Sequence, residues 1–110
     1  MANPSLTFQE FWPEYVLAHR QPMTRWFHFA GTLAGWILLL SAIVIGRPWL
    51  ILAALAVPYG LAWISHFFIE HNRPASFEHP LWSWAADQKM VALVLTGKMS
   101  EEVRRCESRA

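Results

Sequence analysis

The chain has 110 residues, of which 55% are hydrophobic and 15% are charged, so it is long enough for one domain and too short for a multidomain enzyme. Seven Trp, seven Phe and a mean hydropathy of +0.23 leave too little polar surface to coat an ordinary small globule. A net charge of +1 offers no large basic surface to a nucleic-acid backbone, so we expect no nucleic-acid partner. Membrane residence is the first hypothesis.

The first predicted element is a helix that begins near Phe8. Thr7 and Glu10 are spaced to form its capping box, and Gln21-Pro22 should end it. Residues at spacings of three and four place an aromatic stripe on one face of this helix: Phe8, Phe11, Trp12, Tyr15, Val16 and His19. We expect the helix to lie in the membrane interface, with its rings among the lipid headgroups.

Two apolar runs follow, at residues 26–46 and 49–69, each 21 residues long and free of Asp, Glu, Lys and Arg. A helix of that length crosses the hydrocarbon core of a bilayer. Because only Arg47-Pro48 separates the runs, we predict a tight antiparallel transmembrane hairpin. Eight of the nine basic residues flank its outer ends, which favours cytoplasmic termini. Pro58 predicts a bend in the second helix, which either widens a pocket between the helices or is simply a proline that a membrane helix tolerates.

Three segments complete the chain. Residues 71–80 contain two prolines among polar residues and are predicted to form a loop. Residues 81–99 carry Asp87-Gln88-Lys89 at their middle, which favours an amphipathic or partly inserted helix that ends near Gly97. Residues 100–110 are predicted to be a solvated tail. The fold class is therefore an all-α membrane bundle, with residues 1–110 as a single domain.

The positions of the histidines indicate a metal site. His28 is the third residue of the first run and His66 is the fourth from the end of the second, so an antiparallel pair places them at nearly the same depth. Glu70 follows His66 by four residues, which in an α-helix puts both side chains on one face. His19 can fold back over the same end of the hairpin. These four residues are our candidate ligands.

Neutral imidazoles with one carboxylate suit iron, zinc or another borderline divalent cation, and the spacing alone does not choose among them. His71 and His79 are weaker ligand candidates, because His71 points away from His66 on a helix and His79 lies in the loop. An alternative interpretation is that every histidine is a hydrogen-bonded side chain at the membrane interface.

Several motifs are shared with a known family. They are Tyr15-x-x-x-His19, the nine-residue interval to His28 followed by Gly31, and residues 66–74 (HFFIEHNRP) together with Phe77, Pro80 and Asp87. On these motifs, most of the chain resembles a short bacterial-type member of the Mpo1-like family. The resemblance implies an Fe(II)-dependent membrane dioxygenase that shortens 2-hydroxy fatty acids by one carbon in their alpha-oxidation.

The resemblance also implies roles for individual residues. It makes His19, His28 and His66 the catalytic iron ligands, with Glu70 as a fourth ligand or as the acceptor that fixes an imidazole. The implied substrate-binding residues are Tyr15, Asn72 and Arg73, and Arg73 or Arg25 could steer the substrate carboxylate. In another interpretation, Arg73 anchors its helix to lipid phosphates and Asp87 pairs locally.

The chain departs from the family pattern at two positions. Thr24 stands where asparagine is frequent, and His71 stands where lysine is common. The implied partners are a 2-hydroxy fatty acid, dioxygen and the lipid bilayer, and an oligomer is compatible with the sequence. We expect a multi-pass protein of the bacterial inner membrane, or of the endoplasmic reticulum membrane in a eukaryote. A zinc-dependent lipid hydrolase with the same ligands and a non-catalytic membrane scaffold stay open as alternatives.

Overall fold

A computed structural model of the protein describes residues 6–109, which form helices and turns and contain no β-strand. The all-α prediction is confirmed. The helices in chain order are α1 (Phe8–Leu17), α2 (Pro22–Ile45), α3 (Trp49–Ser65), a π-helical turn (His66–Glu70), a 3-10 turn (Ala75–Phe77), α4 (Pro80–Leu95) and α5 (Met99–Arg109).

Helices α2 and α3 form the predicted hairpin. Gly46 ends α2 at a φ of 75°, a left-handed conformation that glycine adopts without steric cost. Gly31 and Gly35 allow the two helices to approach closely. A Cβ atom would lie 3.1 Å from the Cα atom of Pro58 if placed on Gly31, and 3.1 Å from the carbonyl oxygen of Ala54 if placed on Gly35. Small residues at this spacing are typical of closely packed membrane helices.

The hairpin exposes most of its apolar surface. Pro22–Ile45 and the continuous helical segment Trp49–Glu70 are long and apolar enough to cross a membrane, and only 22% and 11% of their apolar windows are buried in the protein. The central helix of a water-soluble domain would be mostly buried. Large side chains point outward from both helices, among them Ile37, Leu40, Val44, Leu52 and Phe68. This exposure supports membrane association, whereas the number of crossings and their orientation stay predictions.

The aromatic stripe of α1 lies inside the protein. Phe11, Trp12, Tyr15 and Val16 are buried, and they pack in one hydrophobic cluster with residues of α4 and α5. Our expectation that these rings face lipid headgroups was therefore wrong. The predicted capping box of α1 is confirmed, since the Thr7 and Glu10 side chains bond each other's backbone N–H groups.

Helix α5 replaces most of the solvated tail that we predicted for residues 100–110, of which residue 110 lies outside the described part. Met99, Val103 and Cys106 are buried on one face of α5 and join the α1 cluster. The indole N–H of Trp12 donates a hydrogen bond of 2.6 Å to Oε2 of Glu102. Met99, Val103 and Cys106 are four and three positions apart, the spacing of one helix face, so this signal was present in the sequence and our prediction of a tail overlooked it.

Helix α4 runs beside α2 and ends at Leu95, close to Gly97, where we predicted its end. Gly97 has a φ of 73°. Nε1 of Trp36 donates to Oε1 of Gln88 at 2.8 Å, which ties the middle of α4 to α2. The face that α4 buries consists of Ser83, Ala86, Met90 and Val91. Asp87 lies within this face and therefore points toward the beginning of α2.

Candidate metal centre

Three histidines from separate segments converge at the end of the hairpin opposite its tip. His19 lies in the turn between α1 and α2, His28 on α2, and His66 at the first position of the π-turn. One ring nitrogen of each lies within 4.8 Å of the other two, and the Nε2 atoms of His19 and His28 are 3.1 Å apart. All three side chains are buried, with 0%, 5% and 2% of their surface exposed. The predicted juxtaposition of these residues is confirmed.

The Nδ1 atoms of two of these imidazoles face oxygen acceptors. Nδ1 of His19 lies 2.6 Å from the carbonyl oxygen of Tyr15, one turn back on α1. Nδ1 of His66 lies 2.7 Å from Oδ1 of Asn72, whose amide nitrogen donates in turn to the carbonyl oxygen of Ala18 at 3.0 Å. Because these oxygens accept hydrogen bonds, they assign the ring proton to Nδ1 in both residues.

The third imidazole is held by a carboxylate from α4. Oδ1 of Asp87 lies 3.1 Å from Nδ1 of His28, and the buried hydroxyl of Tyr15 donates to the same oxygen. The ring of Tyr15 also stacks on that of His19, with 4.0 Å between centroids. A carboxylate that accepts from Nδ1 of a histidine is the usual outer contact of a metal-bound imidazole.

The donor set fits a divalent metal ion. With a proton on each Nδ1, the three Nε2 lone pairs point into one cavity, and two such lone pairs 3.1 Å apart repel each other unless a positive charge lies between them. Nitrogens bound to one ion at about 2.1 Å are roughly 3.0 to 3.4 Å apart for right-angle to tetrahedral bond angles. The cavity among the three rings has a volume of about 20 Å³, enough for an ion or a water molecule.

Burial favours the state of His19 that binds a metal. The pKa of its imidazole lies well below the usual range, because burial disfavours the charged form and because His28 and His66 are close. Burial and the Asp87 carboxylate raise the pKa of the Tyr15 phenol well above its usual value, so the hydroxyl keeps its proton and remains a donor. Three buried histidines of this kind could bind a metal ion.

Comparison with known families was consistent with this geometry. A profile of the family described as 2-hydroxy-palmitic acid dioxygenase Mpo1-like matches residues 5–99. The chain belongs to the Mpo1-like family. No curated protein and no solved structure matches the chain significantly. The matched residues of this Mpo1-like protein include the three histidines and helices α1 to α4.

The structure does not bring Glu70 of this Mpo1-like protein into the histidine group. Its Oε2 atom accepts a hydrogen bond of 2.6 Å from the backbone N–H of Gln21, where α2 begins. Our expectation assumed α-helical spacing, but His66–Glu70 is a π-turn in which His71 N–H bonds to the carbonyl oxygen of His66. Four residues are close to one full turn in an α-helix and in a π-helix alike, so the turn type alone does not exclude Glu70; its carboxylate is bonded to the Gln21 N–H. The carboxylate instead occupies the N-terminal end of α2, where negative charge is favourable.

The residues implied as substrate contacts have different positions. Tyr15 lines the histidine cavity but its hydroxyl is bonded to Asp87, and Asn72 orients His66. Arg73 is exposed, with its guanidinium 5.3 Å from the centre of the Phe77 ring. Tyr15 and Asn72 therefore support the ligands, while a role for Arg73 in substrate binding stays a prediction.

The other candidates are also placed. The guanidinium of Arg25 donates to the carbonyl oxygens of His19 and Arg20 at 2.8 and 2.7 Å, so it fixes the turn that carries His19. His71 is exposed and has a φ of 60°, and the ring of His79 packs edge-on against Phe11. None of these side chains belongs to the histidine group that the structure describes.

Sequence reasoning missed the role of Asp87. We had assigned the site's carboxylate to Glu70 and considered Asp87 only as a polar companion or a local pair. Two signals were present in the sequence: an acidic residue in the middle of a mostly apolar segment is a functional candidate, and Asp87 follows Ser83 and precedes Met90 at helical spacing on one face. Neither signal identifies His28 as its partner, since that requires the packing of α4 against α2.

Proposed function

We propose that this protein is an Fe(II)-dependent membrane dioxygenase that shortens 2-hydroxy fatty acids by one carbon, with His19, His28 and His66 as the iron ligands. The observation that supports this proposal is the convergence of three Nε2 atoms in a buried cavity while each Nδ1 is held by an acceptor. The description of the matched family supplies the substrate class and the reaction type.

Bound ferrous iron would supply the redox chemistry with dioxygen. The chain's own residues prepare the site for it. Burial of His19 keeps its imidazole neutral and able to ligate, and Asp87 keeps the ring of His28 in one orientation. With three protein ligands, coordination positions remain for the carboxylate and the 2-hydroxyl oxygen of the substrate. The buried surroundings exclude bulk water from the reacting groups.

The direct test combines metal analysis with oxygen uptake in detergent-solubilised protein. We expect about one iron ion per chain after anaerobic loading, and oxygen uptake with 2-hydroxypalmitate that palmitate does not support. His66→Ala should lose both properties, whereas His71→Ala should keep them because His71 is exposed and outside the group. Full turnover and unchanged iron content in His66→Ala would refute the proposal.

The same donors make zinc a second candidate metal. Three histidines are also the protein ligands of some catalytic zinc sites, which supports a zinc-dependent lipid hydrolase as the alternative. Zinc-loaded protein would then release fatty acid from an ester substrate without consuming oxygen. A non-catalytic scaffold would show neither reaction and no stoichiometric metal.

We also propose that α2 and α3 both cross the bilayer, with the termini and the histidine cavity on the cytoplasmic side. The support is the excess of basic residues near the ends of the hairpin that carry His28 and His66, against Arg47 alone at the tip. Labelling of a cysteine introduced at Arg47 in intact cells by an impermeant reagent tests this orientation. Labelling of a cysteine introduced at the exposed Arg104 from outside instead would reverse it.

A further inference from the structure

An apolar groove with a volume of about 170 Å³ runs between α2, α3 and α4. Apolar side chains provide most of its wall, including Trp36 and Leu39 of α2, Ile51 and Leu55 of α3, and Trp84 of α4. Trp36, Leu55 and Trp84 are about half exposed, so the groove opens sideways on the surface that α2 and α3 offer to lipid.

The groove adjoins the histidine cavity. Tyr59 and Asp87 line both spaces. Along α2, the groove extends from Thr32, one turn beyond His28, to Leu39. The rise of an α-helix places Leu39 about 16 Å from His28 along the helix axis. Thr32, Tyr59 and Asp87 are polar residues of the end near the histidines. Gln88 bonds to Trp36 farther along the groove, and Leu39, Ile51 and Leu55 are apolar.

We propose that this groove binds the acyl chain of a fatty acid whose carboxyl end lies at the three histidines. The inference rests on the proposed function and adds the location of the chain. A membrane lipid already surrounds an acyl chain with apolar groups, so entry into the groove gains little from burial. The groove therefore discriminates by its shape, and the side chains at its far end set the preferred chain length.

Filling the far end tests this assignment. Leu39→Trp places a larger side chain in the groove, while the control Leu40→Trp places the same side chain on the outer surface of α2, where Leu40 is 58% exposed. We expect Leu39→Trp to lower kcat/KM for 2-hydroxypalmitate at least tenfold and to leave that for 2-hydroxyoctanoate within twofold. Leu40→Trp should leave both unchanged.

A binding readout separates this inference from the proposed reaction. Metal-free protein is photolabelled with a palmitate that carries a diazirine at its terminal carbon, and the labelled residues are mapped by mass spectrometry. We expect labels at Leu39, Ile51 or Leu55 that excess palmitate displaces. If palmitate displaces the labels but iron-loaded protein takes up no oxygen with 2-hydroxypalmitate, the groove would be supported and the dioxygenase refuted. Equal chain-length profiles in Leu39→Trp and Leu40→Trp, or labels that palmitate does not displace, would refute the groove.

A second observation concerns Ser83 of α4, which lines the histidine cavity. Its side chain is 6% exposed, and its hydroxyl has no hydrogen-bond partner. Some other hydroxyls in or at the end of helices bond to a carbonyl oxygen one turn back, namely those of Ser65, Thr96 and Ser108. A buried hydroxyl without a partner is costly, and a ligand in the cavity would remove that cost.

We infer that Ser83 is a substrate-binding residue whose hydroxyl bonds to an oxygen atom of the acid held at the histidines. This inference also rests on the proposed function. Of the two buried hydroxyls without a partner among residues 6–109, Thr24 and Ser83, only Ser83 lines the cavity. A hydroxyl suits a carboxylate or alcohol oxygen, since it both donates and accepts.

Ser83→Ala should weaken binding of 2-hydroxypalmitate to zinc-loaded protein about tenfold, which corresponds to one hydrogen bond to a charged group. Its metal content should be unchanged, and its thermal midpoint unchanged or raised, because a hydroxyl without a partner is removed. Thr96→Ala, which removes a bonded hydroxyl from the other end of α4, should not change binding. Because this affinity measurement needs no turnover, it stays valid even if the protein is not a dioxygenase. Unchanged affinity in Ser83→Ala, with or without a lower thermal midpoint, would refute the inference.

Discussion

Asp87 and His28 are 59 positions apart in the chain, and their Oδ1 and Nδ1 atoms lie 3.1 Å apart. This contact makes α4 part of the candidate metal centre although the helix contributes no member of the histidine group. The Tyr15 hydroxyl donates to the same carboxylate oxygen, so α1, α2 and α4 meet at one atom.

Asp87→Asn tests the role of this contact. The amide keeps an acceptor oxygen but loses the negative charge that strengthens the hydrogen bond from Nδ1 of His28. We expect the affinity for a divalent metal to fall 10- to 100-fold, the range found for outer partners of metal ligands. Titration of the metal-free protein with Fe(II) or Zn(II) measures this change. Glu107→Gln, an exposed carboxylate on α5, is the control, and equal affinities of the two variants would contradict the prediction.

Glu70→Gln tests whether the Glu70 carboxylate caps α2 or binds the metal. Because the Glu70 carboxylate accepts from the first N–H of the α2 end, its neutralisation should cost about 0.3–1 kcal/mol of stability. We expect metal affinity within twofold of the parent and a thermal midpoint a few degrees lower in detergent. Glu78→Gln, on an exposed residue of the loop, should change neither quantity. A large loss of metal in Glu70→Gln would show that Glu70 is a ligand after all.

Gly31→Ala tests the close approach of α2 and α3. The new methyl group would lie 3.1 Å from the Cα atom of Pro58, so backbone must move, and overpacking of this kind costs about 1–3 kcal/mol. Gly60→Ala is the matched control, because a Cβ atom there meets nothing within 4 Å. We expect Gly31→Ala to unfold at lower temperature and Gly60→Ala to be neutral or slightly stabilised. The reverse order would show that the helices are not tightly packed at Gly31.

The docking of α5 should depend on pH through Glu102. Hydrogen bonds from Arg105 and Trp12 lower the pKa of this carboxyl from 4.5 to about 2. Since the folded-state pKa is the lower one, the carboxylate stabilises the fold above about pH 4.5, and this contribution is lost as the pH falls toward about 2. The protection of the α5 amides against hydrogen exchange, measured relative to the intrinsic exchange rate at each pH, should therefore decrease in that interval.

Glu102→Gln is the comparison for this pH dependence. It should show lower protection of α5 already at neutral pH and a smaller further decrease on acidification, because the titrating group is gone. Other carboxyl groups titrate equally in both proteins, so the difference between them reports Glu102. Identical pH profiles would rule out its role in docking α5.

The hairpin and the meeting of His28 and His66 could be predicted because they depend on two regular features, a long apolar run and the antiparallel order of its two halves. The position of Glu70 could not, because its carboxylate bonds to the N–H of Gln21, and that contact depends on how the beginning of α2 packs beside residues 66–70. The burial of the α1 rings depends on α5, whose Met99, Val103 and Cys106 follow helical spacing, a signal that our prediction of a tail overlooked.

His19, His28 and His66 belong to three segments, and successive members are nine and 38 positions apart. An ion bound by all three would tether the turn after α1 to both helices of the hairpin, as a cross-link does, and would close two loops in the unfolded chain. It would bind all three only after the two helices had paired in register, so metal binding would be a late step of folding.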